Sequence, residues 1–160
     1  MPESYQPLSN LDAALLGIED KTNLMLICGI LTFARPVVIA DLKRVLQQRW
    51  LGQRRMRQRL VRPGLLLARP YWEDDPYFDL NAHVHRLALP APGDQAVLQT
   101  LVSDLASTPL DYSKPLWQLH VIENFGAGGA LILRIHHAVA DGAALTTMLL
   151  SLTDLTAEAS

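Results

Sequence analysis

Two adjacent histidines, His136 and His137, close the apolar run LILRI at residues 131–135, and Asp141 and Gly142 follow four and five residues after the second. An imidazole can take a proton from an alcohol or thiol near neutral pH, because its unperturbed pKa lies close to the working range. On a strand, residues 131, 133, 135 and 137 share one face and residues 132, 134 and 136 the other. The two histidines therefore point opposite ways and cannot share a task. His137 ends a wholly apolar stripe where the chain leaves the sheet, so it is the candidate general base at the mouth of a dry cavity. Asp141 opens a predicted helix, where a carboxylate can accept backbone N–H groups or pair with an arginine and so hold the turn in shape. Gly142 lets backbone or ligand approach closely. The plain alternative is a pair of satisfied core histidines beside an ordinary helix start. A strand before H-H-x-x-x-D-G and a helix after it favour the functional reading.

The elements that position this stretch follow from hydrophobic period. Ser9 with Asp12 three residues on resembles a capping box, and Leu11, Ala14, Leu15 and Ile18 continue at helical spacing. Residues 23–33 read as a strand closed by Arg35-Pro36, and 38–50 as an amphipathic helix carrying Leu42, Val45, Leu46, Arg49 and Trp50 on one face. Short strand pieces are expected at 65–68 and 71–72, the acidic 73–75 in a loop, and a strand at 81–89. A helix capped by Asp94 carries Val97, Leu98, Leu101, Val102 and Leu105. Strands at 117–123 and 130–137 are joined through NFGAGG, whose glycines lead into a strand and not a helix, so they form no phosphate loop. Leu145, Met148, Leu149 and Leu152 mark a last helix beginning at Asp141.

Composition narrows the function classes. The 160 residues suit one domain with a sizeable core, and 49% hydrophobic against 19% charged residues is globular, with enough apolar surface for a core or a partner face. A net charge of −2 without basic, aromatic-interleaved patches gives no reason to expect nucleic acid. The single cysteine, Cys28, excludes an internal disulfide, fits a reducing cytoplasm and reads as a small apolar filler. MPESYQPLSN lacks the basic and apolar regions of a signal peptide, and the longest apolar run falls short of a membrane span, so a soluble or at most peripheral chain is expected. His83 and His85 could share a strand face as a metal pair, yet nothing completes a ligand set, and no metal site is expected. Six of the fourteen basic residues, Arg49, Arg54, Arg55, Arg57, Arg59 and Arg62, crowd fourteen positions. They read as a solvated helix end and loop, or as a surface attracting anionic lipid or CoA phosphates.

HHAVADG resembles the HHxxxDG motif of CoA-dependent acyltransferases, which include chloramphenicol acetyltransferase, peptide-synthetase condensation domains and bacterial wax ester synthase/diacylglycerol acyltransferases. PLSNLDAALLGIED, RQRLVRP, FDLNAHVHRLALP and PLWQLHVIENF resemble further blocks of the wax ester synthase group, in order, from Pro7 to about Leu152. The resemblance implies an α/β fold, the N-terminal half of a chloramphenicol acetyltransferase-like fold with a mixed sheet flanked by helices. It implies acyl transfer from acyl-CoA, a co-substrate with no separate cofactor, to a long-chain alcohol or diacylglycerol. His137 would be the general base, His136 a supporting residue, Asp141 an organiser through a salt bridge, and Pro115, Leu116 and Trp117 part of the acyl or alcohol channel.

Family members carry a similarly folded second half after this helix, which supplies tunnel wall and oxyanion donors. Residues 1–160 thus read as one N-terminal domain, expected to be nearly inactive without a C-terminal half and to bind that half or itself. The expected location is the cytoplasm, with peripheral contact at the inner membrane or lipid droplets. The competing readings are a condensation-type acyltransferase acting on carrier-bound substrates and a non-catalytic interaction half-domain.

Overall fold

The computed structural model describes residues 6–20, 22–64, 68–140 and 142–152. A four-stranded mixed sheet runs β2 (Leu26–Phe33), β7 (Gly128–His136), β6 (Trp117–Phe125), β5 (Val84–Leu87) in space. The first two pairings are antiparallel and β5 lies parallel to β6. A smaller sheet places β1 (Gln6–Pro7) and β3 (Gln58–Val61) on either side of β4 (Tyr71–Asp74). The helices are α1 (Asn10–Gly17), α2 (Ile39–Arg49), α3 (Gln95–Ala106) and α4 (Gly142–Leu150).

All nine residues of β7 are buried, as a central strand covered on both faces requires. Leu131, Leu133 and Ile135 pack with Leu119 and Val121 beneath Leu42 and Leu46 of α2 and Leu145 and Met148 of α4. Ala130 and Ile132 face the other way, against Leu98 of α3. Strand alternation thus sorts β7 into two cores. A third core joins Leu8, Leu16, Leu60, Trp72, Leu110 and Leu116, seating α1 on the small sheet close to the histidine turn through Ala138 and Val139. Burying one such leucine stabilises the fold by about 1.5–3 kcal/mol.

Local chemistry explains the boundaries. Ser9 caps α1 by accepting from the Asp12 N–H at 3.0 Å, and Asp94 caps α3 by accepting from Val97. The β6–β7 hairpin turns at Gly126, where φ of +57° favours glycine. A Cβ at Gly128 would lie 1.9 Å from the Phe33 carbonyl oxygen, so only glycine lets β2 come this close.

Three expectations are corrected. The acidic segment is not a loop: Glu73 and Asp74 belong to β4 and lie opposite Arg59 and Gln58 in register. Arg59 binds Glu73, and Arg54 binds Asp74 at 2.9 Å, so cross-strand charge pairing makes strand of an acidic run. The arginine-rich stretch is correspondingly a 3₁₀ turn (Arg54–Arg57) followed by β3, not a helix end and loop. The strand expected at 81–89 is shortened because Asp79 accepts from Asn81 N–H and starts a 3₁₀ turn (Leu80–Ala82). Of the strand piece expected at 65–68, residues 65–67 lie outside the described residues.

Candidate active site

Leu26 pairs with His136 at the end of β2, and one step further the His137 N–H donates to the Met25 carbonyl at 2.7 Å. His136 is buried and its N–H donates to the Leu116 carbonyl, while His137, beyond the strand, is half-buried. The turn that follows is closed by Val139 N–H donating to the His136 carbonyl at 2.9 Å.

The two rings differ in their partners. His136 Nδ1 accepts the Ala138 N–H at 3.1 Å, so its proton sits on Nε2, which faces the Tyr112 hydroxyl at 3.1 Å and Glu19 Oε1 at 3.4 Å. Tyr112 donates to Glu19, and Arg62 donates to both, at 2.7 Å to Glu19 and 2.8 Å to the Tyr112 oxygen. The Arg62 guanidinium also stacks over the Tyr112 ring, 4.4 Å from its centre. Burial raises the Glu19 carboxyl, but hydrogen bonds from Tyr112, Met25 and Arg62 and the nearby His136 outweigh it and hold its pKa below the usual value. Burial lowers the pKa of His136 against the pull of Glu19. His137 Nδ1, by contrast, is enclosed without a hydrogen-bond partner among the described residues. His136 is therefore a satisfied structural histidine, and His137 is not.

Asp141 lies outside the described residues, and Gly142 is the first residue of α4. Pro115, Leu116 and Trp117 are buried behind the histidine turn. Trp117 stacks on His83 at 4.5 Å, meets Trp50 edge-on and donates its indole N–H to the Met56 carbonyl at 2.8 Å. These three residues bear on a channel only through the walls they support. A cavity of about 600 Å³ is lined by Arg59, Arg62, Tyr71, Glu73 and Tyr112, so it abuts the network around His136 and does not include His137.

His83 and His85 do not share a face. His83 has helical ψ of −18° and turns its ring toward Trp117, whereas His85 stacks on His120 at 5.1 Å on the α3 side. Among the described residues no three metal-ligating side chains converge. Cys28 is half-buried and faces Arg134 across the β2–β7 pair, and burial raises its thiol pKa.

A strand ending on a turn with one engaged and one unengaged histidine agrees with comparisons against known proteins. The chain matches the wax ester synthase/diacylglycerol acyltransferase catalytic domain over residues 8–160. It belongs to that family. The probable diacylglycerol O-acyltransferase tgs1 of Mycobacterium tuberculosis is 43% identical over 110 residues, covering 68% of this chain and 24% of tgs1. The wax ester synthase/diacylglycerol acyltransferase of Marinobacter aquaeolei VT8 superposes with a TM-score of 0.77 at 28% identity, over 90% of this chain and 36% of that one. A mutant starter condensation domain of rhizomide synthetase RzmA in complex with C8-CoA shares the fold, with a TM-score of 0.75 at 15% identity over 93% of this chain and 35% of that one. The chain thus spans about a quarter of tgs1 and about a third of each solved structure.

Glu19 and Tyr112 are functional-site residues that the HH motif does not announce. Glu19 sits immediately after α1 in GIED, where a lone acid reads as surface, and Tyr112 lies 93 residues away in an irregular segment.

Proposed function

We propose that this chain supplies the general base of an acyl-CoA-dependent O-acyltransferase that esterifies a long-chain alcohol or a diacylglycerol. His137 takes the acceptor hydroxyl proton as the oxygen attacks the thioester carbonyl. Collapse of the tetrahedral adduct breaks the C–S bond, and the proton held by His137 passes to the departing CoA thiolate, leaving an ester and CoA thiol. No covalent acyl-enzyme and no separate cofactor enter this scheme. The observation that carries the reading is the asymmetry of the pair: His136 is fully engaged in the scaffold, and His137, on the opposite face and ending the apolar stripe, is left for chemistry. Asp141 and Gly142 shape the turn, and Pro115, Leu116 and Trp117 back it.

The family of the match and the CoA-bound structural neighbour favour acyl-CoA as donor over a carrier-bound thioester. A C-terminal half or a second copy would complete the cleft, meeting exposed Leu11, Ile18 and Leu150. Lipid acceptors place the reaction in the cytoplasm, at the inner membrane or lipid droplets, by peripheral contact. No helix among the described residues is long and apolar enough to cross a membrane. The arginine-rich segment is a weak lipid anchor, because Arg54, Arg59 and Arg62 are ion-paired and Arg55 lies over Trp72 at 4.1 Å.

The test uses the polypeptide as its gene encodes it, with palmitoyl-CoA and either hexadecanol or dipalmitoylglycerol. CoA thiol should appear only when an acceptor is present, in step with ester. Release independent of acceptor, or transfer only from a carrier-bound thioester, contradicts the reading.

A further inference from the structure

We propose that Glu19 is a positioning residue for His137: its carboxylate holds both the His136 ring and the Met25 peptide, and so fixes the backbone on either side of the base. The inference rests on the acyl-transfer reading above.

The connections close a ring. Glu19 Oε1 accepts the Met25 N–H at 3.4 Å, and the carbonyl of Met25 accepts the N–H of His137 at 2.7 Å. The same Oε1 lies 3.4 Å from His136 Nε2, and the far nitrogen of that ring accepts the N–H of Ala138. Two routes therefore leave one carboxylate, one through residue 25 and one through the imidazole of residue 136. They arrive at consecutive backbone N–H groups, those of His137 and Ala138. The tautomer matters: only with the proton on Nε2 can Nδ1 accept from Ala138, and an acceptor facing Nε2 selects that form. Glu19 is that acceptor together with the Tyr112 oxygen, which also receives Arg62 and gives its own proton to Glu19. Arg62 neutralises the carboxylate, so the acid stays ionised although its side chain is only 10% exposed. Glu19 owes its place to α1, whose Leu16 is buried against Leu60 and Leu116 and whose end at Gly17 aims the next residues at the turn. A base must sit within about half an ångström of its productive place, and a shift of about 1 Å can cost roughly a hundredfold in rate.

The experiment compares wild type with Glu19→Gln, which keeps size but loses the charge and one acceptor oxygen, and with Tyr112→Phe, which keeps the carboxylate. It reads kcat and KM for palmitoyl-CoA and hexadecanol, and amide hydrogen exchange at His137 and Ala138, on the polypeptide as its gene encodes it. Glu19→Gln should lower kcat on the order of tenfold to a hundredfold with KM within about twofold, and exchange at both amides should quicken about tenfold or more. Tyr112→Phe should move the same quantities in the same direction by less, and it decides the matter if Glu19→Gln does not fold. Unchanged exchange at His137 and Ala138, or a loss confined to KM, overturns the proposal. Should wild type transfer no acyl group, quickened exchange would still support the positioning by Glu19, and the acyl-transfer reading alone would fall.

Discussion

His136 and His120 lie on the same face of the same sheet, on neighbouring strands, and both are buried, yet their surroundings treat them oppositely. His136 meets a carboxylate, a phenol and a backbone N–H, and each ring nitrogen has a partner. His120 stacks on His85 near Arg134, and neither of its ring nitrogens has a hydrogen-bond partner among the described residues. Arg134 binds the Gln118 side chain at 2.8 Å and the Thr108 carbonyl. One cluster is charge-compensated and rigidly wired; the other gathers three potential cations with no acid facing them. The lesson is that burial alone does not make a histidine structural or functional. What decides is whether an acid accompanies it.

The contrast is broken most strongly by acid. Burial, aided by His85 and Arg134, pushes the His120 pKa from 6.5 down to about 4, and burial first also lowers those of His83, His85 and His136. A depressed folded-state value means that the unfolded chain protonates first as pH falls. The contribution is fully present above about pH 6.5 and is lost progressively toward pH 4. Urea unfolding from pH 7 to pH 4 should show a loss on the order of a few kcal/mol, and His120→Leu should flatten that slope. A pH-independent midpoint would refute the account of this cluster.

The next effect uses one substitution at two sites. His136→Leu leaves the Glu19 carboxylate and the Ala138 N–H without their ring partner and should cost about 1–3 kcal/mol in urea unfolding at pH 7. His120→Leu removes two unpaired buried nitrogens at similar volume and should raise stability by about 1 kcal/mol. Equal signs at the two sites would erase the distinction between the clusters. The smallest effect is expected at the surface: Arg44→Ala, which loses an exposed pair with Asp41 one helical turn away, should change stability by less than about 0.5 kcal/mol.

Much of this was legible in the chain itself. The alternation of residues 131–137 separates Leu133 and Ile135 from Arg134 and His136, and Ser9 and Asp94 declare the starts of α1 and α3. What escaped depends on distance or charge. Glu19, Arg62 and Tyr112 meet His136 from three separate segments, and no local period links them. Glu73 and Asp74 look like loop residues until Arg54 and Arg59 face them across a ladder. His83 and His85 look like a pair until the helical backbone at His83 turns one ring to the other side of the sheet.

The central claim is that His137, and not His136, is the base. It is tested most directly by the initial rate of ester formation from palmitoyl-CoA and hexadecanol with His137→Ala in the polypeptide as its gene encodes it. A folded variant should lose activity by roughly a hundredfold to ten-thousandfold. A folded His137→Ala protein that retains the wild-type rate would contradict the account.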